Sequence, residues 1–190
     1  MQRREDLPLD LRRRFLSGRP ALDLTHTGGE GEYAVWEIIH GPEDLSQWLG
    51  VILEVDGIRA SPQDLPPLRG LRAAITRAAR GAAVGRALPA GDVATINAAA
   101  AAPPLVPVLR PKLPPAYAEP TAAAALSTLA RDAIDLFSSP LADRIRVCAA
   151  PDCGLLLVDT SRPGRRRWCS MQRCGNLAKV RHYRHQGNDQ

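Results

Sequence analysis

The sequence predicts an α+β protein with a mostly helical N-terminal body, a few strands, and a small C-terminal module built around cysteines. Hydrophobic residues make up 45% of the 190 residues and aromatic residues only 4%. The apolar content is therefore mainly alanine and leucine, which favour helices. Short apolar runs bounded by glycine and proline predict the strands. All four cysteines lie between residues 148 and 174, which sets the C-terminal module apart.

Two segments near the N-terminus are predicted to be strands, followed by a short helix. Residues 15–29 alternate partly between apolar and polar side chains and end at a Gly-Gly turn. Residues 32–40 are apolar and rich in β-branched side chains, and Gly41-Pro42 closes them. Residues 43–52 place leucine and tryptophan on one face of a helix.

Two longer helices come next. From Leu68 onward, apolar residues recur at helical spacing, and the prolines at 66–67 are expected to delay the start of this helix. A second helix is predicted to begin at Gly91-Asp92, and Pro103-Pro104 stops it.

The body ends with a proline-rich segment and one more helix. Residues 105–120 predict an edge strand or a hairpin, because proline is tolerated there and not in central strands. Thr121 is expected to cap the last helix, and Ser138-Ser139-Pro140 ends it. We therefore predict a body at residues 1–143 and a second unit at residues 144–190.

The cysteines form two short-spaced pairs, in the pattern C-x4-C-x15-C-x4-C. Two such pairs are typical of a tetrahedral zinc site, so we predict one structural Zn²⁺ per chain with the ligands Cys148, Cys153, Cys169 and Cys174. Four thiolates leave no open position for a catalytic water. Two disulfides, four free buried cysteines and an iron–sulfur cluster are the alternatives, and structural disulfides are uncommon inside cells.

The residues between the cysteine pairs predict the shape of the module. Residues 155–158 are expected to form one strand, residues 161–164 a turn, and residues 165–168 a second strand that pairs with the first. Ser170 is expected to cap a helix whose first turn contains Cys174. A hairpin followed by a helix is the layout of a treble-clef-like zinc finger.

Two segments resemble known families. PDCGLLLVDTSRPGRRRWCSMQRCGN, residues 151–176, resembles the CGNR zinc finger, and GRPALDLTHT, residues 18–27, resembles the opening of the ABATE domain. The ABATE domain precedes this finger in stress-induced transcriptional regulators of bacteria. The resemblance implies a zinc-finger DNA-binding regulator with an N-terminal sensor or effector domain. Leu177 stands where the finger family has arginine, so either Lys179 and Arg181 supply that basic contact or DNA binding is weakened.

The excess positive charge lies entirely in the C-terminal unit. Residues 1–147 contain 17 basic and 17 acidic side chains, whereas residues 148–190 contain 8 basic and 3 acidic ones. A localised basic patch indicates a polyanionic partner such as DNA. For Arg167 and Arg173, which lie close to the ligand cysteines in sequence, the alternative to a polyanionic partner is that they balance the thiolates. The predicted phosphate contacts are Arg165, Arg166, Lys179, Arg181 and Arg184.

The N-terminal body offers one candidate binding site. Asp23, Thr25 and His26 place polar groups at the end of an apolar run, where they could line a pocket for an unknown small-molecule effector or satisfy nearby turns. Nucleotide-binding, metalloprotease and serine-hydrolase motifs are absent from the sequence, so we do not expect an enzyme.

Two functions from different classes therefore stay open. A DNA-binding transcription regulator is the first, and a zinc-dependent protein- or RNA-interaction module without sequence-specific DNA binding is the second. The sequence lacks a signal-peptide pattern and a long uncharged apolar run, so we expect a cytoplasmic protein with no membrane contact. A homodimer is compatible with either function.

Overall fold

The computed structural model describes residues 3–109, 111 and 116–180. The α-helices are α1 Leu9–Arg12, α2 Pro20–Leu24, α3 Pro42–Leu53, α4 Leu65–Ala82, α5 Ala90–Ala101 and α6 Ala122–Phe137. The strands are β1 Val106–Val108, β2 Ala116–Ala118, β3 Ile145–Val147 and β4 Leu156–Val158. Among these residues, no helix is both long and apolar enough to cross a bilayer. The predicted α+β class, with a mostly helical body, is confirmed.

Helices α4, α5 and α6 form the centre of the body, with α5 packed against both of the others. The buried stripe of α4 includes Leu68, Leu71 and Ile75, and that of α6 includes Leu129 and Leu136. Most of the other inward positions on these two helices are alanine, and several are fully buried. Small side chains let helix backbones approach closely, which explains how an alanine-rich chain forms a dense core.

The strand predicted over residues 15–29 is wrong, since its centre is the short helix α2. Pro20 occupies the first turn, where its missing N–H costs nothing, and Arg19 precedes it in an extended conformation. Ala21, Leu22, Asp23 and Leu24 are all buried. A short run that is buried on every side shows no period, so the sequence pattern cannot separate a helix from a strand.

The second predicted strand, residues 32–40, is also wrong. A 3-10 helix covers Gly31–Trp36, and residues 37–40 after it form no regular element. A backbone hydrogen bond links these residues to the loop after α2, from Ile38 N–H to the carbonyl of Thr27 at 2.9 Å. Val35 is 83% exposed, so the β-branched residue that favoured a strand does not lie in the core.

The later elements agree with the sequence more closely, apart from the start of α4. The prolines at 66–67 are predicted to delay this helix, but it begins at Leu65 and contains them in its first turn. Proline is tolerated there because the N–H groups of the first turn have no partner within the helix. The proline-rich segment forms the predicted hairpin, with Val106 opposite Ala118. Thr121 caps α6, because its Oγ1 accepts a hydrogen bond from Ala124 N–H at 3.2 Å.

Strand β4 lies between the body and the C-terminal module and contributes side chains to both. Leu156 and Val158 belong to the main core of the body, together with Ile145 of β3. Leu155, which precedes β4, and Leu157 belong to a second apolar cluster that contains the four cysteines. Alternate side chains of a strand point to opposite faces, so one short strand closes two cores.

The predicted partner of this strand is wrong. β4 pairs with β3, in the antiparallel register that sets Ile145 opposite Val158. Residues 165–168 are not paired with it, and one backbone bond, from Ala149 N–H to Arg167 carbonyl at 2.8 Å, ties them to the loop after β3. The turn predicted at residues 161–164 is present, closed by Gly164 N–H and the Ser161 carbonyl at 3.2 Å.

Candidate zinc centre and basic surface

The four cysteines approach one point from two loops. Cys148 directly follows β3, and Cys153 closes a turn that leads back to β4; we call residues 148–154 the first knuckle. Gly154 leaves this knuckle with φ of 62°, a left-handed conformation that favours glycine. Cys169 and Cys174 come from residues 159–180, which we call the second arm. A π-helical turn, Met171–Gly175, follows Ser170 and continues into α-helical residues 176–180. Ser170 lies at the predicted N-cap position, but its side chain makes no capping hydrogen bond.

The sulfur positions fit a tetrahedral metal ion. Zinc–sulfur bonds of about 2.3 Å in a tetrahedron place the sulfurs about 3.8 Å apart. The Sγ atoms of Cys153 and Cys169 are 3.6 Å apart, those of Cys169 and Cys174 are 3.5 Å apart, and all four lie within 4.8 Å of one another. These distances are far longer than a disulfide bond, which is about 2.05 Å, and none of the four is oxidised. The four thiols form a site for one zinc ion.

The electrostatics of the cluster also indicate a cation. Hydrogen bonds with Cys153 and Cys169 hold the pKa of the Cys148 thiol far below its usual value. The hydrogen bond with Cys148 raises the pKa of Cys169 far above its usual value, and burial raises the pKa of Cys174 to about 12. The cluster therefore accepts one negative charge readily and resists further ones. A divalent cation removes this penalty and releases the remaining protons.

A buried aspartate shapes the second arm. The Asp159 carboxylate accepts hydrogen bonds from Ser161 N–H at 2.9 Å, Ser161 Oγ at 2.6 Å and Arg166 N–H at 2.9 Å. The bond from the Ser161 side chain lowers the pKa of Asp159 to about 2. Arg144 donates from Nε to the Asp159 carbonyl at 2.8 Å, so the arm is tied to the chain just before β3.

The predicted phosphate-binding residues differ in their surroundings. Arg165 and Lys179 are exposed. Arg166 is half-buried, and its guanidinium donates to the carbonyls of Trp168, at 3.0 Å, and Cys169. Arg166 therefore holds the chain around a zinc ligand. Arg181 and Arg184 lie outside the described residues.

The two arginines considered as partners of the thiolates, Arg167 and Arg173, contact other groups. The exposed guanidinium of Arg167 lies over the Trp168 ring, 5.0 Å from its centroid. Arg173 is half-buried beside Arg14 of the body, and this contact, after burial, is a cause of the lowered pKa of Arg14. No hydrogen bond from either guanidinium to a sulfur is found among the described residues.

The three predicted effector residues are buried and bonded within the protein. Asp23 accepts from Ser17 N–H at 3.1 Å and pairs with Arg4 at 3.0 Å; burial raises its pKa to about 6 despite that pair. Thr25 donates to the carbonyl of Leu22 at 2.7 Å. None of the three lines the cavity described below.

His26 links the body to the C-terminal module. Its Nε2 accepts from Leu156 N–H of β4 at 3.0 Å, and its Nδ1 lies 2.7 Å from the Arg14 carbonyl. The backbone N–H of Leu156 can only donate, so Nε2 must be the unprotonated nitrogen that accepts. In the neutral ring the proton is therefore on Nδ1. Burial lowers the pKa of His26 to about 4, so the ring is neutral. The sequence singled out this residue, but its partner lies 130 positions away.

Two further residues, Arg80 and Trp36, touch the zinc module without any signal in the sequence. Arg80 of α4 donates to the carbonyl of Gly154 at 2.9 Å and lies over the Tyr33 ring, 4.6 Å from its centroid. Trp36 packs against the cluster that contains the cysteines. Arginines recur along α4, and only the fold shows which of them reaches the knuckle.

Two family models match the chain. One, described as ABATE, "Putative stress-induced transcription regulator", matches residues 18–140, and a second, described as CGNR zinc finger, matches residues 144–186. No curated protein matches the chain. The first match covers well over half of the chain, and the second contains all four cysteines. The resemblance found in the sequence is thereby confirmed, and the chain belongs to the ABATE family and carries a CGNR zinc finger.

Proposed function

We propose that this protein is a zinc-dependent, DNA-binding transcription regulator. The observation that carries the proposal is the positive charge of the zinc module. Arg162, Arg165, Arg167 and Lys179 are exposed, whereas the carboxylate of Asp159 is buried and satisfied by its own arm. Asp152 of the first knuckle is the one exposed acid among the described residues 148–180. This excess of exposed cations suits a phosphate backbone.

The zinc ion has a structural role in this proposal. Four buried thiolates complete its tetrahedron and leave no place for a water or a substrate, so we propose no catalytic activity. The metal instead fixes the second arm, which has few apolar side chains of its own, and so presents the cations in one arrangement.

Salt titration tests the phosphate contacts. For roughly four to six contacts, including Arg181 and Arg184, the log of the DNA affinity should fall with log salt at a slope of about −3.5 to −5.5. Arg165→Ala and Lys179→Ala should each weaken binding to all sequences and make the slope shallower by about one. Arg86→Ala, an exposed arginine on the body, is the matched control and should change neither.

Arg166 provides an internal contrast. Because its guanidinium is bonded to the Trp168 and Cys169 carbonyls, Arg166→Ala should speed zinc loss to a chelator, whereas Arg165→Ala should not. If the double variant Arg165→Ala/Lys179→Ala kept both affinity and slope, the DNA proposal would be abandoned for this surface.

A second function is favoured by exposed apolar side chains on the same module. Met171, Leu177 and Val180 are 53%, 52% and 46% exposed, and Leu177 replaces the arginine of the finger family. Exposed apolar side chains next to cations also suit a protein or RNA partner. Competition of duplex DNA against RNA and against an acidic protein separates the two functions, because the regulator should prefer duplex DNA.

A further inference from the structure

A cavity of about 370 Å³ lies on the body between α4 and the segment that follows α2. One wall is formed by the chain after α2 and the other by a face of α4. The lining residues from the chain after α2 are Gly28, Gly29, Glu30, Tyr33 and Glu37, and those from α4 are Arg69, Arg72, Ala73, Thr76, Arg77 and Arg80. Its volume falls in the range of small-molecule sites.

Two of the four arginines already have carboxylate partners. Arg72 is buried and bonds Glu37 through both guanidinium ends, at 2.9 and 2.6 Å. Arg77 forms a similar pair with Asp92, which lies outside the cavity. These pairs hold the walls in place and leave little charge for a ligand.

The other two arginines are not neutralised. Among the described side chains, no carboxylate lies within ion-pair distance of Arg69 or Arg80. The Nε atom of Arg80 is buried and has no hydrogen-bond partner, although Nη2 donates to Gly154. A buried N–H of a cation without an acceptor is costly, so this group indicates a missing anionic partner.

The backbone opposite α4 offers further donors. Within the described chain, no acceptor is found for the N–H groups of Gly28 and Gly29. A side chain at Gly28 would come within 2.7 Å of the Glu37 backbone. Only glycine at position 28 therefore lets the backbone at Glu37 lie so close to it. The Tyr33 ring and the Ala73 methyl supply apolar surface between the donors.

We propose that this cavity binds a small organic carboxylate with an apolar body and that Arg80 transmits its binding to the zinc centre. The carboxylate accepts from the unpartnered Arg80 Nε, and the apolar part packs on Tyr33 and Ala73. Arg80 is also bonded to Gly154 in the first knuckle, next to the ligand Cys153. A ligand that fixes Arg80 therefore fixes the knuckle. This inference rests on the regulatory function proposed above and supplies its sensing step.

Calorimetry with benzoate and zinc-loaded full-length protein tests the binding. Benzoate should bind with a Kd of about 1 mM or tighter, and benzamide, which has the same shape without the charge, about tenfold more weakly. Arg80→Met should weaken benzoate binding, and Arg86→Met, on the exposed surface beyond α4, should not. Ala73→Leu, which fills the cavity and leaves every arginine in place, should abolish binding.

Zinc loss to a chelator tests the coupling. Saturating benzoate should slow zinc loss by about fivefold in the wild type and leave the rate of Arg80→Met unchanged. Absence of saturable benzoate binding, equal binding of benzamide, or loss of binding in Arg86→Met would overturn the ligand class. Unchanged zinc loss at saturation would overturn the coupling. Both measurements omit DNA, so a failure of the DNA proposal would be seen separately.

Discussion

His26 shows how a single neutral ring can connect two parts of a chain. It accepts a hydrogen bond from β4 and donates one to the Arg14 carbonyl, and its side chain is buried. The sequence marks this histidine as a polar residue in an apolar run, suited either to a ligand pocket or to nearby turns. Its actual role depends on a backbone N–H distant in sequence, which no local pattern encodes.

Replacing His26 should therefore destabilise the protein. His26→Ala leaves two buried backbone groups without partners, at Leu156 and Arg14, and should lower the free energy of unfolding by about 2 to 4 kcal/mol. Urea titration of the zinc-loaded protein measures this. His40→Ala, at an exposed histidine, is the matched control and should change stability by less than about 0.5 kcal/mol. Equal effects of the two variants would contradict the role assigned to His26.

The same residue gives a pH dependence with a defined sign. The folded pKa of His26, about 4, lies below its ordinary value of 6.5, so the unfolded chain takes up the proton first. The stability difference between wild type and His26→Ala should therefore be largest above pH 6.5 and shrink as the pH falls towards 4, by up to about 3 kcal/mol. Asp23, whose raised pKa has the opposite effect between 3.8 and about 6, is present in both proteins and largely cancels. A difference that is constant with pH would contradict the neutral ring.

At the scale of elements, capping and periodicity predicted the long helices, and pairing was the weak point. The stripes of α4 and α6 and the cap at Thr121 depend on neighbours three or four residues apart, so the sequence contains them. The pairing of β4 with β3 does not depend on such near neighbours, because strand pairing is decided by packing between residues that are far apart in the sequence. The cysteine spacing predicted the ligands directly, since thiols in two close pairs have one dominant use.

Loss of the metal should distinguish the β3–β4 hairpin from the rest of the zinc module. We expect that Cys169→Ser unfolds the first knuckle and the second arm but leaves the β3–β4 hairpin folded, because Leu156 and Val158 pack in the body. Hydrogen exchange should show protected amides in β3 and β4 of the variant and fast exchange in Met171–Gly175. Fast exchange in both would show that zinc, and not the body, holds the hairpin.

For the molecule as a whole, the two cores meet at one strand. Leu156→Ala should lower the unfolding free energy of the body by about 2 to 5 kcal/mol even in the presence of chelator, because it empties space in the main core. Leu157→Ala, the next residue, should speed zinc loss and leave the chelator-treated body nearly unchanged. Thermal and urea unfolding with and without chelator distinguish them. If the two variants behaved alike, the cores would not be separate.

A shared strand also limits how this zinc finger can be transplanted. Detached from residues 1–143, the finger would expose Ile145, Leu156 and Val158 and would lose the bond from Val158 N–H to the Ser17 carbonyl at 2.9 Å. Such a fragment would carry an adhesive apolar face and tend to aggregate, with or without its metal. Another protein that carried this finger would need an apolar surface to cover these side chains and an acceptor for Leu156 N–H. In this architecture the zinc finger can be moved to another protein only together with the part of the body that covers its strand.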